Sequence, residues 1–152
     1  MTYVVYLLIG LPKKIASYFL WAGPLLARLV VGYVFMLTGW EKLQNLPGVT
    51  QNFIEWGIPF PHVLTPLTAG IECFGGLFLM LGLLTRLSGG ALAVVMAVAI
   101  VSAKLGDIDS LETLLGFEEA TYFAVFTWLA IAGGGRASLD YLLERKFLNA
   151  AV

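Results

Sequence analysis

The stretch VLTPLTAGIECFGGLFLMLGLL (63–84) is 22 residues long, and its only formally charged side chain is Glu72, near the middle. As a helix rising 1.5 Å per residue, a run of this length crosses the ~30 Å hydrocarbon core of a bilayer. FLWAGPLLARLVVGYVFMLTGW (19–40) has the same character, with Arg28 as its lone charge. In lipid each such charge costs about 2.5–3.5 kcal/mol or more unless it is paired or hydrated. One acid and one base kept in two apolar runs therefore mark a device that the protein uses.

The rest of the chain agrees with a membrane setting. Of its 152 residues 59% are hydrophobic and 12% charged, and mean hydropathy is +0.87, whereas soluble domains carry about 25% charged residues. A net charge of -1 supplies no basic field for nucleic acid. Cys73 is the single cysteine, which excludes an intrachain disulfide, a CxxC redox pair and a thiolate metal cluster. His62 is the single histidine, so no histidine metal cluster is expected either. The apolar Tyr3 to Leu11 precedes Lys13 and Lys14, the reverse of a secretory signal, and residues 3–18 read as an interfacial helix.

Four spans follow, at about 20–43, 62–84, 87–103 and 117–135, in one membrane domain over 1–152. Between the first two, Pro47, Gly48, Gly57, Pro59 and Pro61 break a loop. Within that loop 50–56 suits a short interfacial helix anchored by Phe53 and Trp56. The predicted fold is an all-α four-helix transmembrane bundle with an N-terminal interfacial helix. Lys13, Lys14, Arg86, Arg136, Arg145 and Lys146 fall on one side, and only Lys42 and Lys104 on the other. The positive-inside rule then puts both termini in the cytoplasm.

Arg28, Gly32, Phe35, Gly39 and Lys42 recur in steps of four and three, on one face of the first span. The glycines allow close helix approach. Thr65, Glu72, Gly76 and Leu79 form a comparable stripe on the second span. Measuring depth from the span ends puts Arg28 and Glu72 within several ångströms of each other, so a buried Arg28–Glu72 pair is expected. That pair is either a clamp fixing helix register or part of a site that binds a small molecule or carries protons. Glu118 and Glu119 suit a helix start. If one of them faces the bundle, it joins Lys42, with His62 a further candidate, around an outward-facing pocket. Cys73 points about 100° away from Glu72 and reads as a packed thiol. Gly75-Gly76 and Gly133-Gly134-Gly135 lack the strand–helix context of a phosphate loop and read as close packing and a helix stop.

In this order, ARLVVGYVFMLTGWEKL (27–43), GIPFP (57–61), AGIECFGGLFLMLGLLTRLSG (69–89) and GGGRASLD (133–140) resemble the DoxX family of small four-span membrane proteins. The resemblance carries over Arg28, Gly39, Lys42, Glu72, Gly75, Gly82, Arg86, Gly135, Arg136, Ser138 and Asp140. It implies a bacterial cytoplasmic (inner) membrane protein, often labelled "putative oxidoreductase", with relatives in a thiosulfate:quinone oxidoreductase and in redox-stress complexes. More distant relatives are chaperones or cargo receptors. The expected function is a membrane subunit of a redox system that holds a quinone or a small sulfur-type ligand. Arg28, Lys42 and Glu72 would line the site, a soluble redox partner protein would supply the electrons, and a homo-oligomer is an open state. The alternative is a non-catalytic assembly, scaffold or chaperone-like protein whose charged pair only locks the bundle.

Overall fold

The computed structural model describes residues 2–148, and among these there is no strand. Residues 2–18 wind into a helical arm that ends in α1 (Leu11–Tyr18). None of residues 3–18 is buried, as fits an arm lying at the interface. The arm leads into α2 (Ala22–Gln44), α3 (Leu46–Glu55) and α4 (Pro61–Leu81). Next come α5 (Thr85–Ala99), α6 (Leu111–Gly116), α7 (Glu118–Ala132) and the short α8 (Leu139–Leu143). A wider turn, Ile100–Lys104, and a tight one, Leu105–Asp107, prolong α5. The apolar helix therefore runs on past 103, where the third span was expected to end.

Ala22–Gln44, Pro61–Leu81 and Thr85–Asp107 are long and apolar enough to cross a bilayer. The fourth helix of the bundle, α7, has 15 residues, a rise of about 22 Å. It stops short of the expected 135 because Gly133 takes φ +80, which ends the helix. Pairs α2–α4 and α5–α7 are the closest, and α4 lies against α5. The α2–α4 contact has no room for side chains at its centre. A Cβ on Gly76 would stand 2.6 Å from the Gly32 carbonyl oxygen and 3.0 Å from Met36 Cα, and one on Gly39 would stand 2.7 Å from Cys73 Cα. Phe35 meets Tyr122 and Phe126 edge-on, at 5.0 and 4.7 Å between ring centroids, and so fastens α2 to α7.

Polarity runs inside out. Arg28, Glu72, Thr65, Thr85 and Ser88 are buried, while Val30, Tyr33, Val63, Phe74, Leu87, Val94, Val101 and Ile131 are more than half exposed. In water so much exposed apolar surface would drive aggregation. In lipid it is the ordinary outer surface of a bundle, and the polar groups must look inward.

The segment between α2 and α4 differs from expectation. Its helix is longer, Leu46–Glu55, and Phe53 is buried rather than anchored in the lipid interface. Phe53 packs towards Trp56, 6.0 Å between ring centroids, and Trp56 stays partly exposed. Beyond α5, the Ser110 side chain accepts the Thr113 N–H at 3.2 Å and caps α6. The Thr113 hydroxyl donates to Asp109 and holds that carboxyl below its usual range.

Candidate functional site

The expected Arg28–Glu72 pair does not form. Glu72 takes Lys42 instead, whose Nζ lies 2.7 Å from Oε1 and 2.6 Å from Oε2. The reason is helix register. Antiparallel α2 and α4 meet with Gly39 against Cys73 and Gly32 against Gly76 and Met80, which sets Lys42 level with Glu72 and carries Arg28 towards Gly82. From Glu72 to Gly82 is ~15 Å of helix rise, beyond the reach of an arginine. The depth argument failed because the ends of the two helices are not level. α2 ends at Gln44, just beyond Lys42, whereas α4 begins at Pro61, about three turns before Glu72, and its N-terminal turns pack on α3.

Arg28, fully buried, belongs to a second cluster at the α4–α5 turn. Its Nη2 donates to the Ala137 carbonyl at 2.6 Å and its Nη1 to that of Leu79 at 3.4 Å. Asp140 accepts the Leu84 N–H at 2.7 Å and the Thr85 N–H at 2.8 Å, and so caps α5 from outside its own chain segment. Its own N–H returns to the Gly82 carbonyl at 2.8 Å. Leu84 takes φ +50 there, a conformation unusual for a branched side chain and held by that carboxylate. Ser138 Oγ donates to the Gly135 carbonyl at 2.6 Å and accepts the Tyr141 N–H. Arg86 donates to the Ile131 carbonyl at the end of α7. A Cβ on Gly82 would press on the Arg28 guanidinium. Gly82, Arg86, Gly135, Ser138 and Asp140 thus close one knot around Arg28, with Arg136 exposed beside it. Their donors and acceptors are largely consumed by one another, and none of these side chains is in the wall of the cavity at Lys42 and Glu72.

The Lys42–Glu72 pair has a different setting. It lines a cavity of about 500 Å³ together with Lys104 and Glu119, a size typical of sites for small organic ligands. Most of the remaining wall is apolar, including Phe53, Trp56, Ile71, Val95 and Met96. Glu72 is 1% exposed, whereas the Lys42 side chain retains 31%. The cavity floor is therefore a buried carboxylate carrying an ammonium that is still open to a guest. An ammonium has three donors. Two serve Glu72, and one remains for a ligand acceptor. Among the described residues Glu119 and Lys104 form no salt bridge, and the Lys104 ammonium lies 5.4 Å from the centre of the Phe117 ring.

Of the candidates read from sequence, Lys42, Glu72 and Glu119 line this cavity. Glu118 is exposed, His62 lies on the α3–α4 side with Thr50 and Pro66, and Arg28 sits in the knot. Gly32, Gly39 and Gly76 form the α2–α4 contact, and Gly75 faces Leu92 of α5. Lys104 was missed, having been assigned to a polar loop. The four-residue steps Val94, Val98, Ser102 and Val95, Ala99, Ala103 continue one helix face to its threshold and could have found it.

An apolar outer surface, polar groups turned inward and a ligand-sized chamber around an ion pair define a polytopic all-α integral membrane protein. The chain belongs to the DoxX family, whose model matches residues 23–105, from α2 into the α5 extension. It is 29% identical over 125 residues to the "Inner membrane protein YqjF" of Escherichia coli, covering 82% of this chain and 95% of the relative. It is 32% identical to the "Putative oxidoreductase CatD" of Bacillus subtilis over 120 residues, 78% of this chain and 84% of that one. An "Uncharacterized membrane protein Rv3486" of Mycobacterium tuberculosis is 32% identical over 133 residues, 78% and 80% of the two chains. No solved structure matches.

Proposed function

We propose that this protein is an inner-membrane subunit of a redox system and that the Lys42–Glu72 cavity holds its small-molecule ligand, a quinone or a compact sulfur-type species. The observation that carries the reading is one buried carboxylate–ammonium pair on the floor of an otherwise apolar chamber. The free Lys42 N–H offers a hydrogen bond to a ligand oxygen, and Glu72 can exchange protons when that ligand is reduced or oxidised. For a quinone, two electrons from a soluble partner protein and two protons yield the quinol. The names of the relatives support both parts, one being called an "Inner membrane protein" and another a "Putative oxidoreductase". Both termini lie in the cytoplasm in this reading, with the cavity reached from the other side or from the lipid.

The test uses the full chain in lipid nanodiscs titrated with 2,3-dimethoxy-5-methyl-1,4-benzoquinone, with quenching of tryptophan fluorescence as the signal. Saturable quenching that weakens about ten-fold or more in Lys42→Met, the loss of one charge-assisted hydrogen bond, is expected. Linear, unsaturable quenching identical in the variant would sink the quinone reading. A scaffold role is favoured by one fact, the engagement of both Glu72 oxygens by Lys42, which locks α2 to α4 without any guest.

A further inference from the structure

Beside the cavity runs an apolar groove of about 700 Å³ along the outer face of α5, lined by Ala93, Ala97 and Val101 of that helix and by Phe123 of α7. The two spaces adjoin. Trp56, Ile58, Leu64, Val94, Val98 and Ser102 line both. Val94 is 63% exposed and Leu67, on the cavity wall, 53%, so the shared rim lies on the lipid-facing surface of the bundle. The loop that carries Trp56 and Ile58 is held over this rim by two left-handed residues, Gly57 at φ +68 and Phe60 at φ +51.

From this shared rim we infer that the ligand is a tailed amphiphile, which enters sideways from the bilayer with its polar head at Lys42 and Glu72 and its alkyl or isoprenoid tail in the α5 groove. The inference rests on the cavity being a ligand site and decides between the two ligand classes left open above. A compact water-soluble sulfur species would use the polar floor and leave the groove unexplained. A tail laid across the Trp56–Ile58 sill uses both spaces at once. The groove is apolar enough to hold methylenes away from competing lipid by shape, in the way helix grooves hold chains. Glu119 and Lys104 then border the head, and nothing charged borders the tail.

The experiment compares the tail-less benzoquinone with its 6-butyl, 6-hexyl and 6-decyl derivatives on the full chain in nanodiscs, with affinity expressed per mole fraction in the lipid to cancel partitioning. Affinity should rise with tail length in the native protein. Ala97→Phe, at a position that lines the groove and not the cavity, should weaken the decyl derivative about ten-fold and leave the tail-less compound within about two-fold. Val30→Phe, on the lipid face of α2, should change neither. Equal partition-corrected affinity across the tail series would overturn the tail site while leaving a head site intact. Equal loss of both compounds in Ala97→Phe would also overturn it. If no member of the series binds, the cavity reading fails and this inference fails with it.

Discussion

Lys42 and Glu72 show how a charge survives in a membrane interior. Glu72, 2% exposed at its side chain, is the member that needs its partner, since an unpaired carboxylate buried in a membrane interior is costly. Lys42→Leu should therefore destabilise the protein by about 2–4 kcal/mol, towards the lower end because the Lys42 side chain keeps 31% of its exposure. Changing Glu72→Leu as well should restore most of that loss, because no orphan charge is left. Reversible unfolding in mixed micelles measures the cycle. Arg28→Leu combined with Glu72→Leu should instead be additive within about 0.5 kcal/mol, since the two residues belong to different clusters. A large Arg28–Glu72 coupling would contradict the register described above. At the other end of the bundle, Asp140→Ala removes the acceptor of two backbone N–H groups, those of Leu84 and Thr85. A loss of about 2–4 kcal/mol is expected in the same assay. Asp140→Asn should recover part of it, by keeping one acceptor.

Among the helices, glycine position matters more than glycine number. Gly76 lies where a Cβ would press on the backbone of α2, and Gly70, on the same helix, has nothing within 4 Å of such an atom. Gly76→Ala must force α2 and α4 apart, at a cost of about 1–3 kcal/mol. Gly70→Ala should be neutral or raise stability by up to about 1 kcal/mol through helix propensity. Thermal unfolding of the two variants in one detergent decides this, and equal effects would mean the helices do not meet at Gly76. The same contact bears on the cavity. Separating α2 from α4 pulls Lys42 from Glu72, so Gly76→Ala should also weaken any ligand that depends on the pair.

For the whole molecule, six basic residues against two predict where the loops lie. In a Cys73→Ser background, Gln51→Cys and Gly106→Cys should react with an impermeant thiol reagent in intact cells, and Phe147→Cys should react only after lysis. The reverse pattern would invert the proposed orientation and with it the side from which protons reach Glu72. Gly106 suits the tag because a Cβ there meets nothing.

Hydropathy by itself determined that this chain is an all-α membrane bundle, because the cost of exposing backbone in lipid leaves long apolar runs little else to become. Residue spacing also placed Gly32, Gly39 and Lys42 on one face, since 3.6 residues per turn is a local property. What spacing could not give was the offset between helices. Whether Glu72 meets Arg28 or Lys42 depends on how far α4 slides along α2. That is decided by Gly39 against Cys73 and Gly76 against Gly32 and Met36, contacts between residues distant in sequence. The knot of 133–140 around Arg28 and the entry of Lys104 into the cavity have the same origin. Each depends on where one helix ends relative to another, and only packing of the folded bundle sets that.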